Sequence, residues 1–126
     1  MRPITIEWIT KAEGDFSTLV REIQVDDNPN YDGICFHAQQ CAEKYLKARL
    51  CESEDRFGRI HDLVALLEAV LKWEPRWECC REDLAYLTEF AVTYRYPGEC
   101  ADREAALDAF ERCERFRDIA RRAFGL

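Results

Sequence analysis

Phe36-His37-Ala38-Gln39-Gln40-Cys41-Ala42-Glu43-Lys44-Tyr45-Leu46-Lys47-Ala48 is the stretch on which the reading of this chain turns. Placed at 100° per residue from Ile34, the residues Ile34, Cys35, Ala38, Ala42, Tyr45 and Leu46 fall in one broad apolar arc. His37, Gln40, Glu43, Lys44 and Lys47 fall on the other side, so the segment reads as an amphipathic helix from about Tyr31 to Cys51. Two residues break the pattern. Gln39 sits at the edge of the apolar arc, where its amide must find partners or cost stability. Phe36 lies within the polar arc, beside His37, Lys44 and Lys47. An aromatic there marks a protein interface or a platform for a base, although one exposed Phe is also common on ordinary surfaces.

Working outward from this helix, the same period recurs on both sides. Trp8, Ala12, Phe16, Leu19 and Ile23 form a first stripe, broken by Asp26-Asp27-Asn28-Pro29-Asn30. After a polar loop from Glu52 to Ile60 that contains Gly58, a third helix opens at His61-Asp62, with Asp62 as its N-cap. It carries Leu63, Leu66, Leu67, Val70 and Leu71, and Pro75 ends it. Trp77, Cys80, Leu84, Leu87 and Ala91 form a fourth stripe that stops before Pro97-Gly98. The fifth starts near Asp102 and buries Ala106, Phe110, Cys113, Phe116 and Ala120. No stretch alternates at period two. The expected fold is therefore all-α: a single domain over residues 1–126, an up-and-down antiparallel bundle of about five helices.

Composition narrows the function. The 126 residues carry 25 acidic against 18 basic side chains, a net charge of −7. That balance argues against a protein that coats nucleic acid indiscriminately, since such binding is driven by phosphate neutralisation. It leaves room for a local basic site. The apolar runs are too short to span a bilayer, and Met1 to Trp8 lacks the features of a signal peptide. Seven cysteines, an odd number without an export signal, read as free thiols in a reducing cytoplasm. There is no Cys-x-x-Cys pair, and Cys35, His37 and Cys41 diverge on a helix, so no metal or other cofactor is expected. Cys35, Cys41 and Cys113 read as small buried hydrophobes.

Two short clusters could hold an anion. In Arg56-Phe57-Gly58-Arg59-Ile60-His61-Asp62, two guanidiniums precede an imidazole at a helix entrance. In Tyr94-Arg95-Tyr96-Pro97-Gly98, an arginine between two tyrosines can grip a phosphate while a ring packs on a base. The plainer alternatives are an Arg95 that satisfies helix carbonyls and a Tyr96 packed into the bundle. Arg112, Arg115, Arg117, Arg121 and Arg122 read as a solvated helix face. His37 and His61 are the only imidazoles, and each alone does little chemistry without a placed partner. No nucleophile constellation, Gly-rich phosphate loop or paired-carboxylate signature is present.

The stretch from Phe36 to Ala48 resembles the hallmark of the HEPN domain family, small helical domains of prokaryotes and higher eukaryotes named for nucleotide binding. The resemblance extends to Trp8 and Asp15, to His61-Asp62-Leu63 and to Arg95-Tyr96-Pro97, in order along nearly the whole chain. It implies a five-helix bundle, commonly a homodimer, often paired with a minimal nucleotidyltransferase in a toxin–antitoxin-like arrangement. Many relatives are ribonucleases whose Arg and His, four to six residues apart, meet across the dimer. Here Tyr96-Pro97-Gly98-Glu99-Cys100-Ala101-Asp102 follows Arg95 without a histidine.

Three functions are consistent with these residues. The first is a nucleotide- or RNA-binding partner module, with His37, Gln40, Lys44, Lys47, His61, Arg95 and Tyr96 around the ligand and Phe36 at an interface. The second is a metal-independent endoribonuclease using Arg95 and His61. The third is a dimerisation scaffold that buries Phe36 and binds nothing.

Overall fold

The computed structural model describes all 126 residues, and they form five α-helices with no strand. Helix α1 spans Pro3–Ile23 and α2 Tyr31–Glu52; α3 spans Leu63–Val70, α4 Arg81–Thr88 and α5 Arg103–Ala123. The fourth apolar stripe is not one α-helix. Pro75–Cys80 and Glu89–Ala91, on either side of α4, are 3₁₀ turns. Pro75 lacks the N–H an α-helix would use and starts the first of these tighter turns.

Local chemistry sets the ends. Asn30 caps α2 by accepting from the Gly33 N–H at 2.9 Å, and a Cβ on Gly33 would lie only 2.6 Å from the Asn30 amide nitrogen. A side chain at position 33 would therefore make the Asn30 amide shift from this position. Asp62 caps α3 through the N–H groups of Val64 and Ala65, and Asp102 caps α5 through that of Ala105. Each cap satisfies donors that the first helical turn leaves free.

The core consists of 26 buried apolar residues, and α2 is its axis. Twelve of the 22 residues of α2 are buried, because α1, α3, α4 and α5 all pack against it. Ala38, Cys41, Ala42 and Ala48 are all fully buried, and their small side chains let neighbouring helices approach closely. Cys35, Cys41 and Cys113 are buried as expected, and all seven thiols are free. No helix is long and apolar enough to cross a membrane.

Cross-links between helices give their directions. Thr5 meets Glu52 and Glu22 meets Asn30, so α1 and α2 are antiparallel. Leu63 at the start of α3 meets Thr88 at the end of α4, and Asp83 of α4 meets Arg112 and Arg115 of α5. One connection relaxes the alternation. The 53–62 loop doubles back, so that His61 lies against Gln39 in mid-α2 and Glu74, beyond α3, pairs with Arg49. Helix α3 thus runs beside α2 in the same sense. That return brings His61 alongside the second helix.

Candidate functional site

The doubling-back loop, the middle of α2 and the segment after α4 enclose a cleft of about 320 Å³. Its lining is Phe36 and Gln40 from α2, His61 from the entrance to α3, and Ala91, Val92 and Arg95 from the end of the fourth segment. Four of the residues singled out in the sequence therefore converge from three elements, and no carboxylate lines the cleft wall. The closure depends on Thr88, whose hydroxyl accepts from the Leu63 N–H at 2.9 Å and joins the start of α3 to the end of α4.

Arg95 reaches the cleft because the chain turns sharply before it. Tyr94 adopts a left-handed backbone conformation with φ of 71°, costly for a residue with a side chain. Its ring stacks on Phe90 at 5.7 Å, which holds the turn. The Arg95 guanidinium then lies 5.1 Å from the Phe36 ring centroid and donates to the Ala91 carbonyl at 3.3 Å. Phe36 is accordingly half-buried, with His37 edge-on at 5.5 Å; it is not the open aromatic that the helical wheel suggested. Arg95 and His61 are both exposed and present cationic and imidazole groups to the same space.

Behind the cleft lies a polar network that the wheel placed wrongly. Glu43 and Lys47 were expected on a solvent-facing side, yet each is only 4% exposed. The reason is the 53–62 loop, which folds over that side of α2. Lys47 Nζ sits 5.4 Å from the Phe57 ring and 5.6 Å from Trp8, and donates to Glu43 at 3.1 Å. Gln39 is fully buried and satisfied. It donates to Glu43 at 3.0 Å and to the His61 carbonyl at 3.3 Å, and accepts from Gln40 at 2.7 Å. His61 Nδ1 lies 3.1 Å from both Glu43 oxygens.

A second cluster joins α1 to α2. Asp15 is 9% exposed; one oxygen pairs with His37 Nδ1 at 2.7 Å and the other with Lys44 Nζ at 2.5 Å. Burial alone would push the Asp15 carboxyl up, but the hydrogen bonds and charges of His37 and Lys44 outweigh it and hold it below its ordinary value. His37 and Lys44 are thus occupied with an internal partner and lie outside the cleft lining. Lys44 borders a separate depression with Ile4, Glu7, Trp8 and Lys11.

The remaining candidates scatter. Tyr96 is 65% exposed, so it is not packed into the bundle; it lines a shallow depression with Val92, Tyr94 and Pro97. Arg56 and Arg59 are exposed and absent from the cleft wall. The arginines of α5 are more than a solvated face. Arg112 and Arg115 bind Asp83 of α4, and Arg117 binds Glu13 of α1 at 2.6 Å, tying three helices together.

Asp15 and Glu43 are the residues whose roles helical spacing alone missed. The usable signal was Gln39, a polar residue on an apolar edge that required buried partners nearby. A model of the HEPN domain matches residues 5–123 of the chain. Searches of curated proteins and of solved structures returned no match.

Proposed function

The chain belongs to the HEPN domain family, and on that premise we propose that it is a nucleotide- or RNA-binding module whose ligand phosphate sits in the cleft between α2 and Arg95. The observation that carries this reading is the convergence of Phe36, Gln40, His61 and Arg95 on one wall without a carboxylate. A guanidinium and an imidazole supply donors to a phosphate, Gln40 offers an amide to a base or ribose, and the Phe36 edge gives an apolar floor. The small basic site set in a chain of net charge −7 suits a ligand gripped locally and disfavours a long nonspecific nucleic-acid track. His37, Lys44, Lys47 and Tyr96 then contribute less directly, Lys47 through Glu43 and the first two through Asp15.

Family membership also supports a homodimer, to which we assign the Phe36 face of α2, and a cytoplasmic pairing with a minimal nucleotidyltransferase in a toxin–antitoxin-like arrangement. An acidic surface is compatible with a basic protein partner.

The test is calorimetric titration with ADP and with a short single-stranded RNA. Wild type should bind at least one of them, and Arg95→Ala should weaken that binding about tenfold or more, the loss of one charge-assisted contact. Because Arg95 is exposed, the variant should fold normally. Binding left unchanged by Arg95→Ala refutes the assignment of the cleft.

A second reading, a metal-independent endoribonuclease, draws on the same convergence, since His61 could shuttle a proton while Arg95 steadies the phosphate. It requires metal-free RNA cleavage that disappears in both Arg95→Ala and His61→Ala.

A further inference from the structure

The buried network behind the cleft raises a question that helix packing does not answer. Glu43 and Lys47 have side chains only 5% exposed, and a buried ion pair rarely stabilises a fold more than well-packed apolar residues of similar size. If the pair served only to brace α2, it would have no need of His61. Yet His61, whose side chain is 65% exposed, is tied to this network twice. Its ring Nδ1 faces both Glu43 oxygens at 3.1 Å, and its backbone carbonyl accepts from Gln39 at 3.3 Å. Gln39 in turn donates its amide to Glu43 at 3.0 Å, which fixes the carboxylate that faces the ring. An exposed loop residue is thereby held in both position and ring orientation.

We propose that Glu43 is a positioning residue that holds His61 in its Nδ1–H tautomer, so that Nε2 is the nitrogen presented to the cleft. A carboxylate accepts and cannot donate, so in the neutral ring the proton must reside on the nitrogen facing it. Nε2 makes no hydrogen bond within the protein, and His61 is one of the residues that line the cleft. The inference deepens the cleft reading above and rests on it for its consequence: a neutral His61 offers an acceptor to a ribose hydroxyl, and a protonated one offers a donor to phosphate. Lys47 has a supporting part. Together with Gln39 it satisfies the Glu43 oxygens that face the ring, so neither is left without a partner in the interior.

Ring ¹⁵N chemical shifts decide the matter, and only two histidines need assigning. Spectra are recorded in the alkaline range where ring signals no longer move with pH, with His37→Gln used for assignment. Wild-type His61 should show a protonated Nδ1 and an unprotonated Nε2, the reverse of the form free histidine prefers. In Glu43→Gln, and in Glu43→Gln with Lys47→Met, which spares the interior an orphaned ammonium, the tautomers should mix or reverse. ADP affinity should fall in the double variant by about as much as in His61→Ala, roughly tenfold. A wild-type His61 carrying its proton on Nε2 overturns the inference without any variant, as does an Nδ1–H tautomer that persists in the double variant. Absence of ADP and RNA binding by wild type instead sinks the cleft reading, and the tautomer measurement stands independently of it.

Discussion

Replacing Asp15 with asparagine removes one negative charge while keeping size and shape. In the wild type the Asp15 side chain is 10% exposed and pairs with Lys44 (22%) and His37 (31%). Breaking a fully buried pair costs roughly 3–5 kcal/mol, because a charge is left without a partner. Here water reaches Lys44 and His37 in part, so the cost of Asp15→Asn falls to about 2 kcal/mol. For a chain of this length that lowers the melting temperature by about 7 °C. The pH dependence gives a second signature. The Asp15 carboxyl is held below its ordinary value of 3.8: burial opposes this, and the His37 and Lys44 contacts outweigh it. A group whose folded value is depressed contributes stability that is complete above the unfolded value and lost as pH falls through the folded one. The deficit of Asp15→Asn should therefore be full at pH 7 and shrink steadily below about pH 4, since asparagine does not titrate. Urea denaturation across that range measures it. Adding Lys44→Met to Asp15→Asn should recover about 1 kcal/mol in a double-mutant cycle, because the orphaned ammonium is gone. A deficit under about 0.5 kcal/mol, or one that stays constant down to pH 3, would refute the argument that these charges are coupled in the folded state.

Thiol chemistry probes the packing of the bundle. Burial pushes the Cys35 and Cys80 thiols up to about 12, whereas Cys79 and Cys100 are exposed. Mass spectrometry after brief alkylation of native protein should find Cys79 and Cys100 modified, and Cys35, Cys41 and Cys113 only after unfolding; early labelling of Cys41 would contradict the central position of α2. Asp62→Ala should cost about 1 kcal/mol by removing two N-cap contacts at 2.9 and 3.2 Å, read by the same urea titration, and a neutral result would deny that this cap organises the entrance to α3. If a dimer forms through α2, Phe36→Asp should shift the sedimentation profile from dimer to monomer; an unchanged dimer places the interface elsewhere.

The helical class was legible because it follows from local periodicity. Trp8 to Ile23, Ile34 to Leu46 and Ala106 to Ala120 each repeat at helical spacing, and the stops at Pro29, Pro75 and Pro97-Gly98 need no tertiary information. The cap at Asp62 was equally local, since a side chain accepting from the backbone two or three residues ahead depends on nothing distant. The direction of α3 was not legible. A ten-residue loop can leave a helix end in many directions, and the returning path is selected by Phe57 packing on Trp8 and by Gln39 holding the His61 carbonyl.

The same return decided the site. A helical wheel sorts residues by angle about one axis and assumes a single buried side, so it assigned Glu43 and Lys47 to solvent. A central helix is covered from several directions, and there angle ceases to predict exposure. His61 and Arg95 could be named from sequence because an imidazole at a helix entrance and an arginine at a helix end carry their chemistry in their type. That they share one cleft with Phe36 and Gln40, while Lys44 and His37 answer to Asp15, is a matter of which surfaces meet across 20 to 60 residues of chain. The sequence by itself determined a five-helix bundle of acidic character with a handful of cationic and aromatic candidates. Tertiary structure alone decided which candidates converge, because long-range packing gains its free energy from surfaces that no local pattern pairs.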